Sequence, residues 1–318
     1  MNNASPEPRI AVLIPCYNEA IAIARVIRDF QASLPQAHIH VFDNNSTDET
    51  AEVAERHGAM VTHVALRGKG NVVRRMFADV DADIYLMVDG DATYDATQAP
   101  RMVALLRERM LDMVVGCRVD DRHNQATYRP GHRLGNQLLT GSVLRIFGGQ
   151  FTDMLSGYRV FSRRYVKSFP AVAQGFETET ELTVHALELR MPYAEVPTAY
   201  QSRPVGSESK LSTFRDGWRI LKTILQLFIS ERPLAFFATA AAVLATVSIM
   251  LAIPLALTYF HTGLVPRLPT AVLATGGMVS ALLSLVCGAV LNTVTIGRQE
   301  MKHLVYLSIP PSHSASHA

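Results

Sequence analysis

The chain has 318 residues and a formal net charge of +2, enough length for one or two domains with a sizeable core. It has no large field of one sign and no basic run with interleaved aromatics, which argues against a nucleic-acid partner. Cys16, Cys117 and Cys287 are odd in number and widely spaced; they suit neither a disulfide framework nor a zinc site and fit a reducing compartment.

Met1 to Arg9 is polar and lacks the apolar stretch of a secretory signal, so the first domain is expected to stay in the cytosol. Five apolar, β-rich segments follow: Ile10 to Pro15, Ile39 to Asp43, Met60 to Val64, Ile84 to Asp89 and Met113 to Cys117. Helical patterns separate them at Ala20 to Ser33, Thr47 to His57, Gly70 to Asp79 and Thr97 to Arg109. This alternation predicts an α/β domain with a mostly parallel sheet and helices on both faces. Ligands of such sheets bind beyond the carboxyl ends of the strands.

That rule selects Cys16 to Glu19, Asp43 to Asp48, Asp89 to Asp91 and Arg118. Neither a dinucleotide-binding glycine fingerprint nor a phosphate-binding P-loop is present. Asp89-Gly90-Asp91 places two carboxylates where the chain leaves the sheet, and paired hard oxygens suit Mg²⁺ or Mn²⁺. An isolated D-x-D is more often a solvated acidic turn than a metal site; its place after a buried strand reverses that order. In Asp43 to Asp48, Thr47 or Asp48 is expected to cap a helix, leaving Asp43 to meet a nucleobase or ribose. Glu177, Glu179 and Glu181 occupy alternate helical positions and are expected on a solvated surface.

Phe214, Trp218, Leu221, Leu225 and Phe228 form one helical stripe, with Arg215, Arg219, Lys222 and Gln226 off it. The pattern suits a helix lying in the lipid interface; packing on the soluble domain is its alternative. Leu234 to Ile296 then contains one charged residue, Arg267. Leu234 to Phe260 and Thr270 to Ile296 each exceed the roughly 20 residues that span a bilayer. Arg215, Arg219, Lys222, Arg232, Arg298 and Lys302 flank them, which puts the large domain on the cytosolic side. Gly276, Gly277, Ser280, Ser284 and Gly288 permit close helix packing, within the hairpin or in a homo-oligomer.

Several short motifs occur together over Ile10 to about Trp218: Ile14-Pro15-Cys16-Tyr17-Asn18-Glu19, Asp43-Asn44-Asn45-Ser46-Thr47-Asp48, Gly68-Lys69-Gly70-Asn71, Asp89-Gly90-Asp91, Gly116-Cys117-Arg118 and Thr152 to Arg159. In this order they resemble the family 2 glycosyltransferases with a GT-A fold, and among them the polyprenyl and dolichyl phosphate sugar synthases. The resemblance implies a donor site of Pro15, Tyr17, Glu19, Asp43, Asn45, Lys69, Asp89, Gly90, Arg203 and Lys210, with Asp89 and Asp91 holding the metal. It gives Asp91 and Asp153 catalytic roles and turns Arg118 and Arg133 toward an acceptor phosphate. Thr93 stands where some relatives carry a glutamine as a further metal ligand. Arg203, Gly206, Ser209 and Lys210 are similar to a family loop that closes over the donor diphosphate, with one extra residue before the serine.

The function this implies is inverting transfer of a sugar from a UDP- or GDP-sugar to an undecaprenyl or dolichyl phosphate at a membrane, the bacterial inner membrane before the endoplasmic reticulum. The alternatives are transfer to a neutral lipid hydroxyl and a membrane-bound scaffold that binds nucleotide-sugar without turnover. Expected domains are 1–213 for the glycosyltransferase, 214–232 for the interface helix, 233–298 for a two-span hairpin and 299–318 for a cytosolic tail.

Overall fold

A computed structural model describes residues 7–119, 132–175, 177–204 and 213–310; for 132–138, 213–217, 219 and 220 it describes the backbone alone. The strands are β1 Ile10–Cys16, β2 Ala37–Asp43, β3 Met60–His63, β4 Ile84–Met87, β5 Met113–Val119, β6 Arg159–Ser162 and β7 Tyr193–Ala199. The helices are α1 Ala20–Ser33, α2 Thr50–Arg56, α3 Lys69–Asp79, α4 Ala99–Glu108, α5 His132–Phe147, α6 Arg163–Ser168, α7 Thr178–Glu188, α8 Thr213–Glu231, α9 Pro233–Thr262 and α10 Leu268–Ser308.

The strands form one sheet in the order β3-β2-β1-β4-β6-β5-β7. Only β6 runs antiparallel, against both β4 and β5. Side chains alternate along each strand, so β1 feeds two cores. Ile10, Val12 and Ile14 pack with α1 and α4 on one face, and Ala11 and Leu13 with α3, α6 and α7 on the other. Burying one such Val, Leu or Ile contributes about 1.5–3 kcal/mol; Leu13→Ala at a fully buried site would cost about 2–5 kcal/mol.

The reversal of β6 positions the site. The other strands bring their carboxyl ends to one edge of the sheet, and the segment entering β6 arrives at that same edge. Residues 153–157 therefore lie beside the ends of β4 and β5, as two contacts record: Ser156 Oγ donates to Gly116 O at 2.6 Å, and Gly157 N donates to Tyr94 Oη at 3.0 Å.

The chain divides into two compact units, Met1–Thr223 with Lys302–Ala318, and Ile224–Met301. In the first, the C-terminal segment bonds to the α/β body. Tyr306 donates to Asp112 at 2.7 Å, Lys302 pairs with Glu188 at 2.8 Å, and Arg164 reaches Ile309 O at 3.1 Å.

The second unit is built on α9 and α10, both long and apolar enough to cross a membrane. Only 11% and 17% of their most apolar windows is buried, which is unlike the core helices of a soluble domain. Small residues set their approach. A Cβ on Gly277 would stand 2.2 Å from Ser248 Oγ, and one on Gly288 would stand 2.8 Å from Phe237 Cβ. Ser284 donates to Phe237 O at 3.1 Å, and Arg298 pairs with Glu231 at 2.8 Å. Along α8, Trp218, Leu221 and Leu225 of the apolar stripe are all exposed.

Candidate functional site

The two carboxylates of Asp89-Gly90-Asp91 leave β4 beside the end of β1. A Cβ on Gly90 would meet Cys16 Sγ at 2.6 Å, and one on Gly157 would meet Asp89 Oδ2 at 2.4 Å. Glycine at both positions lets the loop lie flat on its neighbours. Ala92 and, on the adjoining loops, Asn18 and Asn45 have φ of 57°, 53° and 59°. Left-handed backbone at residues other than glycine is costly, and three of the six such residues described lie on these loops.

Each aspartate shares a cation with a glutamate. Lys69 Nζ is 2.5 Å from Asp89 Oδ1 and 2.5 Å from Glu179 Oε1. Arg203 is 2.6 Å from Asp91 Oδ2 and 3.2 Å from Glu19 Oε1. Burial alone would lower the Lys69 ammonium's pKa, but Asp89 and Glu179 outweigh it and the pKa is raised. Asp91 moves upward through burial first and the charge of Asp89 second, against the pull of Arg203 and Thr93. Two carboxylates on one loop, one of them buried beside the charge of the other, fit a divalent cation. Among the described residues no group of three or more His, Cys, Asp or Glu could hold a metal, so substrate oxygens would have to complete the shell of an ion on Asp89 and Asp91. Thr93 Oγ1 donates to Asp91 Oδ1 at 2.6 Å; it orients that carboxylate.

Asp153 and Arg118 form a two-pronged pair, Nε to Oδ2 and Nη2 to Oδ1, both 2.7 Å, with the Arg118 backbone N–H adding a third bond at 3.2 Å. The planar guanidinium matches the carboxylate, a geometry a lysine would not reproduce. The Arg118 guanidinium also stands over the Tyr200 ring at 5.5 Å. Tyr200 lies within electrostatic reach of Asp91 and Asp89, and burial raises its pKa. The Arg118–Asp153 pair and the Asp89/Asp91 loop thus border one aromatic wall, completed by Tyr94 and Tyr158.

At the end of β2, Asp43 is buried and its Oδ2 accepts from Ser46 N at 3.3 Å, while Oδ1 has no hydrogen-bond partner. A buried acceptor left open is uncommon and suits a ligand N–H or O–H. Asn45 donates to Val64 O and Ala65 O, and Asn44 to Val64 O and Leu66 O. Asn44 also accepts from Gly68 N at 2.7 Å. Together they fix the lead into α3 and hence Lys69. Asp48 accepts from Thr50 N at 3.1 Å and Ala20 N at 3.2 Å, so it serves the starts of two helices. Tyr17 is part-exposed under the Arg67 guanidinium, 5.9 Å from its ring centre; Pro15 pairs in register with Phe42.

Lys210 and the Arg133 side chain lie outside the described residues; Arg133 itself falls in the second position of α5. The expectation of a solvated acidic surface on α7 is overturned. Glu179 and Glu181 are 4% and 8% exposed, because α7 packs against the second core while its carboxylates find partners in the fold. Three further residues escaped the sequence reading. Glu195 accepts from Thr152 N at 2.8 Å and Asp153 N at 3.3 Å, holding the aspartate's loop. Arg159 is fully buried and donates to Ser156 O, Met154 O, Thr183 Oγ1 and Glu179 O. Tyr94 anchors Gly157, as above. Of these, only Arg159 lay within a recognised motif.

The glycosyl transferase family 2 sequence profile matches residues 11–169. Glycosyltransferase AglJ of Haloferax volcanii is 38% identical over 229 residues, covering 72% of this chain and 75% of that protein. A dolichyl-phosphate hexose transferase of the same organism is 26% identical over 223 residues, covering 70% of this chain and 95% of that one. Among solved structures, glucosyl-3-phosphoglycerate synthase of Mycobacterium tuberculosis, in complex with Mn²⁺, UDP-glucose and phosphoglyceric acid, superposes with a TM-score of 0.53 at 23% identity, covering 70% of this chain and 80% of that one; this likeness is one of fold. The ordered motifs, the mostly parallel sheet and the matched profile agree: this chain belongs to glycosyl transferase family 2.

Proposed function

We propose that this glycosyltransferase moves a hexosyl group from a UDP- or GDP-sugar to a polyprenyl phosphate, with inversion, at the cytosolic face of the membrane that α9 and α10 span. The observation that carries the reading is the Arg118–Asp153 pair. A hydroxyl acceptor would need a general base to take its proton. Both Asp153 oxygens are instead bonded to a guanidinium, and a phosphate acceptor, already anionic, needs that guanidinium rather than a base. The dolichyl-phosphate hexose transferase relative supports a lipid phosphate, and two candidate spans following the domain support a lipid-borne acceptor.

On the donor side, Asp43 Oδ1 accepts a hydrogen bond from the base or ribose, with Tyr17 and Pro15 beside it. A Mg²⁺ or Mn²⁺ ion on Asp89 and Asp91 would neutralise charge that develops on the departing diphosphate. Arg203, at Asp91, adds a fixed cation on the same side; Lys210 and Arg133 are proposed to meet the donor diphosphate and the acceptor phosphate respectively. Arg118, aimed by Asp153, holds the acceptor's phosphate for a single displacement at the anomeric carbon.

The test is an acceptor panel: purified protein with Mn²⁺ or Mg²⁺, UDP- and GDP-sugars, and either short-chain polyprenyl phosphate, diacylglycerol or ceramide, with products read by mass spectrometry. A glycosylated polyprenyl phosphate is the expected product. A product on the neutral lipids alone overturns the acceptor assignment, and donor binding with no product on any lipid favours the scaffold.

A further inference from the structure

The glutamate that sequence reasoning placed in solvent is the least explained charge near the site. Glu179 is 4% exposed, with Oε1 on Lys69 and Oε2 without a hydrogen-bond partner. Its neighbours on α7 do something different. Glu181 accepts from Val172 N at 2.8 Å and Ala173 N at 2.9 Å, and Glu177 from Gln174 N at 3.2 Å and Gly175 N at 2.9 Å. The loop so held presses on the start of α3. Gly70 N donates to Gln174 O at 3.2 Å, and a Cβ on Gly68 or Gly70 would stand 2.1 or 2.2 Å from the carbonyls of Gln174 or Ala173. Lys69 is therefore fixed between two glycines with its side chain directed between Asp89 and Glu179.

A lysine as first residue of a helix sits at the wrong end of the helix dipole. Bonded to Asp89 alone it would form a neutral pair, and a divalent cation approaching Asp89 would face an ammonium with nothing to offset it. With Glu179 on its far side, the arm of two carboxylates and one ammonium keeps one net negative charge. Arg203 likewise lies between two carboxylates, Asp91 and Glu19.

Resting on the reading of Asp89 and Asp91 as metal ligands, we propose that Glu179 is a positioning residue for the metal site: the buried counter-charge that keeps Lys69 as its own partner and so leaves Asp89 available to a divalent cation. Glu179 touches neither donor nor metal; it acts through Lys69. Outer-sphere partners of metal ligands commonly set affinity in this way.

The test is Mn²⁺ alone, titrated into the full-length protein in detergent, with free Mn²⁺ followed by electron paramagnetic resonance and folding checked by thermal unfolding. Glu179→Gln is expected to weaken Mn²⁺ binding about tenfold. Lys69→Met, which removes the competing ammonium, is expected to tighten it by about threefold or more. The double variant is expected within about threefold of the wild type. A merely structural glutamate would weaken binding in every variant and would not produce opposite signs. Should Glu179→Gln fail to fold, Lys69→Met decides alone, and unchanged or weaker binding in it overturns the proposal. Asp91→Asn is the control. If it binds Mn²⁺ as the wild type does, or the wild type binds none even with UDP added to supply diphosphate oxygens, the metal site itself is misassigned; if it loses Mn²⁺ while Glu179→Gln does not, only the role of Glu179 falls.

Discussion

In the α/β unit Val12, Leu13 and Ile14 are fully buried and the polar groups gather at one edge of the sheet, whereas in the hairpin unit Met250, Leu282 and Val294 stand 66%, 63% and 64% exposed. The same side-chain types are inside in one unit and outside in the other, as expected if the second unit, with its two candidate membrane spans, meets lipid and the first meets water. Where charge occurs in the first unit's site it is shared: Lys69 and Asp91 have side-chain exposures below one-tenth and bond to partners from distant parts of the sequence. The lesson is that function in the first unit depends on retaining charge, and integrity of the second on excluding it.

The largest effect should follow from removing charge in the first unit. Asp91→Asn leaves the side chain's size unchanged and is expected to lower lipid glycosylation about a thousandfold, measured as initial rate, with the melting temperature little altered. Next comes adding charge to the second unit. Val247→Lys on the exposed face of α9 is expected to cost about 2.5–3.5 kcal/mol in membrane insertion, visible as a shift from the integral to the extractable fraction. Val172→Lys, also exposed but in the first unit, is expected to stay within about 0.5 kcal/mol of the wild type. If both lysines behave alike, the two-solvent reading fails.

The last effect concerns acid stability and is nil at neutral pH. His185 is buried beside Ser168, Tyr165 and Phe169, with Lys302 near, and burial together with that cation depresses its pKa to about 3. An unfolded histidine takes up a proton near pH 6.5. Stability from the neutral ring is thus complete above about pH 6.5 and falls as pH drops toward 3. His185→Phe should flatten the acid limb of a melting-temperature-against-pH profile in that window, leaving its neutral plateau in place; an unchanged acid limb would contradict it.

Much of the fold was legible because it is written in local periodicity. The pattern over Ala20 to Ser33 matches α1 at both ends, and the first five strands lie where alternation put them. The expected helix start at Thr47 moved to Thr50 because Asp48 bonds Thr50 and reaches across to Ala20, keeping that turn open. The strand expected to run to Asp89 ends at Met87, opposite Leu13, while β1 continues to Cys16 paired with β2 alone. What local pattern could not show is pairing over long separations. Arg118 and Asp153 are 35 residues apart, and both had been read separately, one for an acceptor and one for chemistry. Glu177, Glu179 and Glu181 do point to different partners, as their spacing implies, but the tertiary fold supplies each with a protein partner. A lone buried arginine such as Arg159, bonded to carbonyls rather than to an acid, leaves no periodic signal.

The central claim is that the acceptor brings its own negative charge, so that Asp153 aims Arg118 instead of removing a proton. Steady-state kinetics of Asp153→Asn with polyprenyl phosphate across a pH series test this most directly. The account predicts that KM for the lipid phosphate rises about tenfold or more while kcat and its pH profile change little. A fall in kcat of about a hundredfold or more, with loss of the acid-limb dependence on pH, would make Asp153 a general base and contradict it.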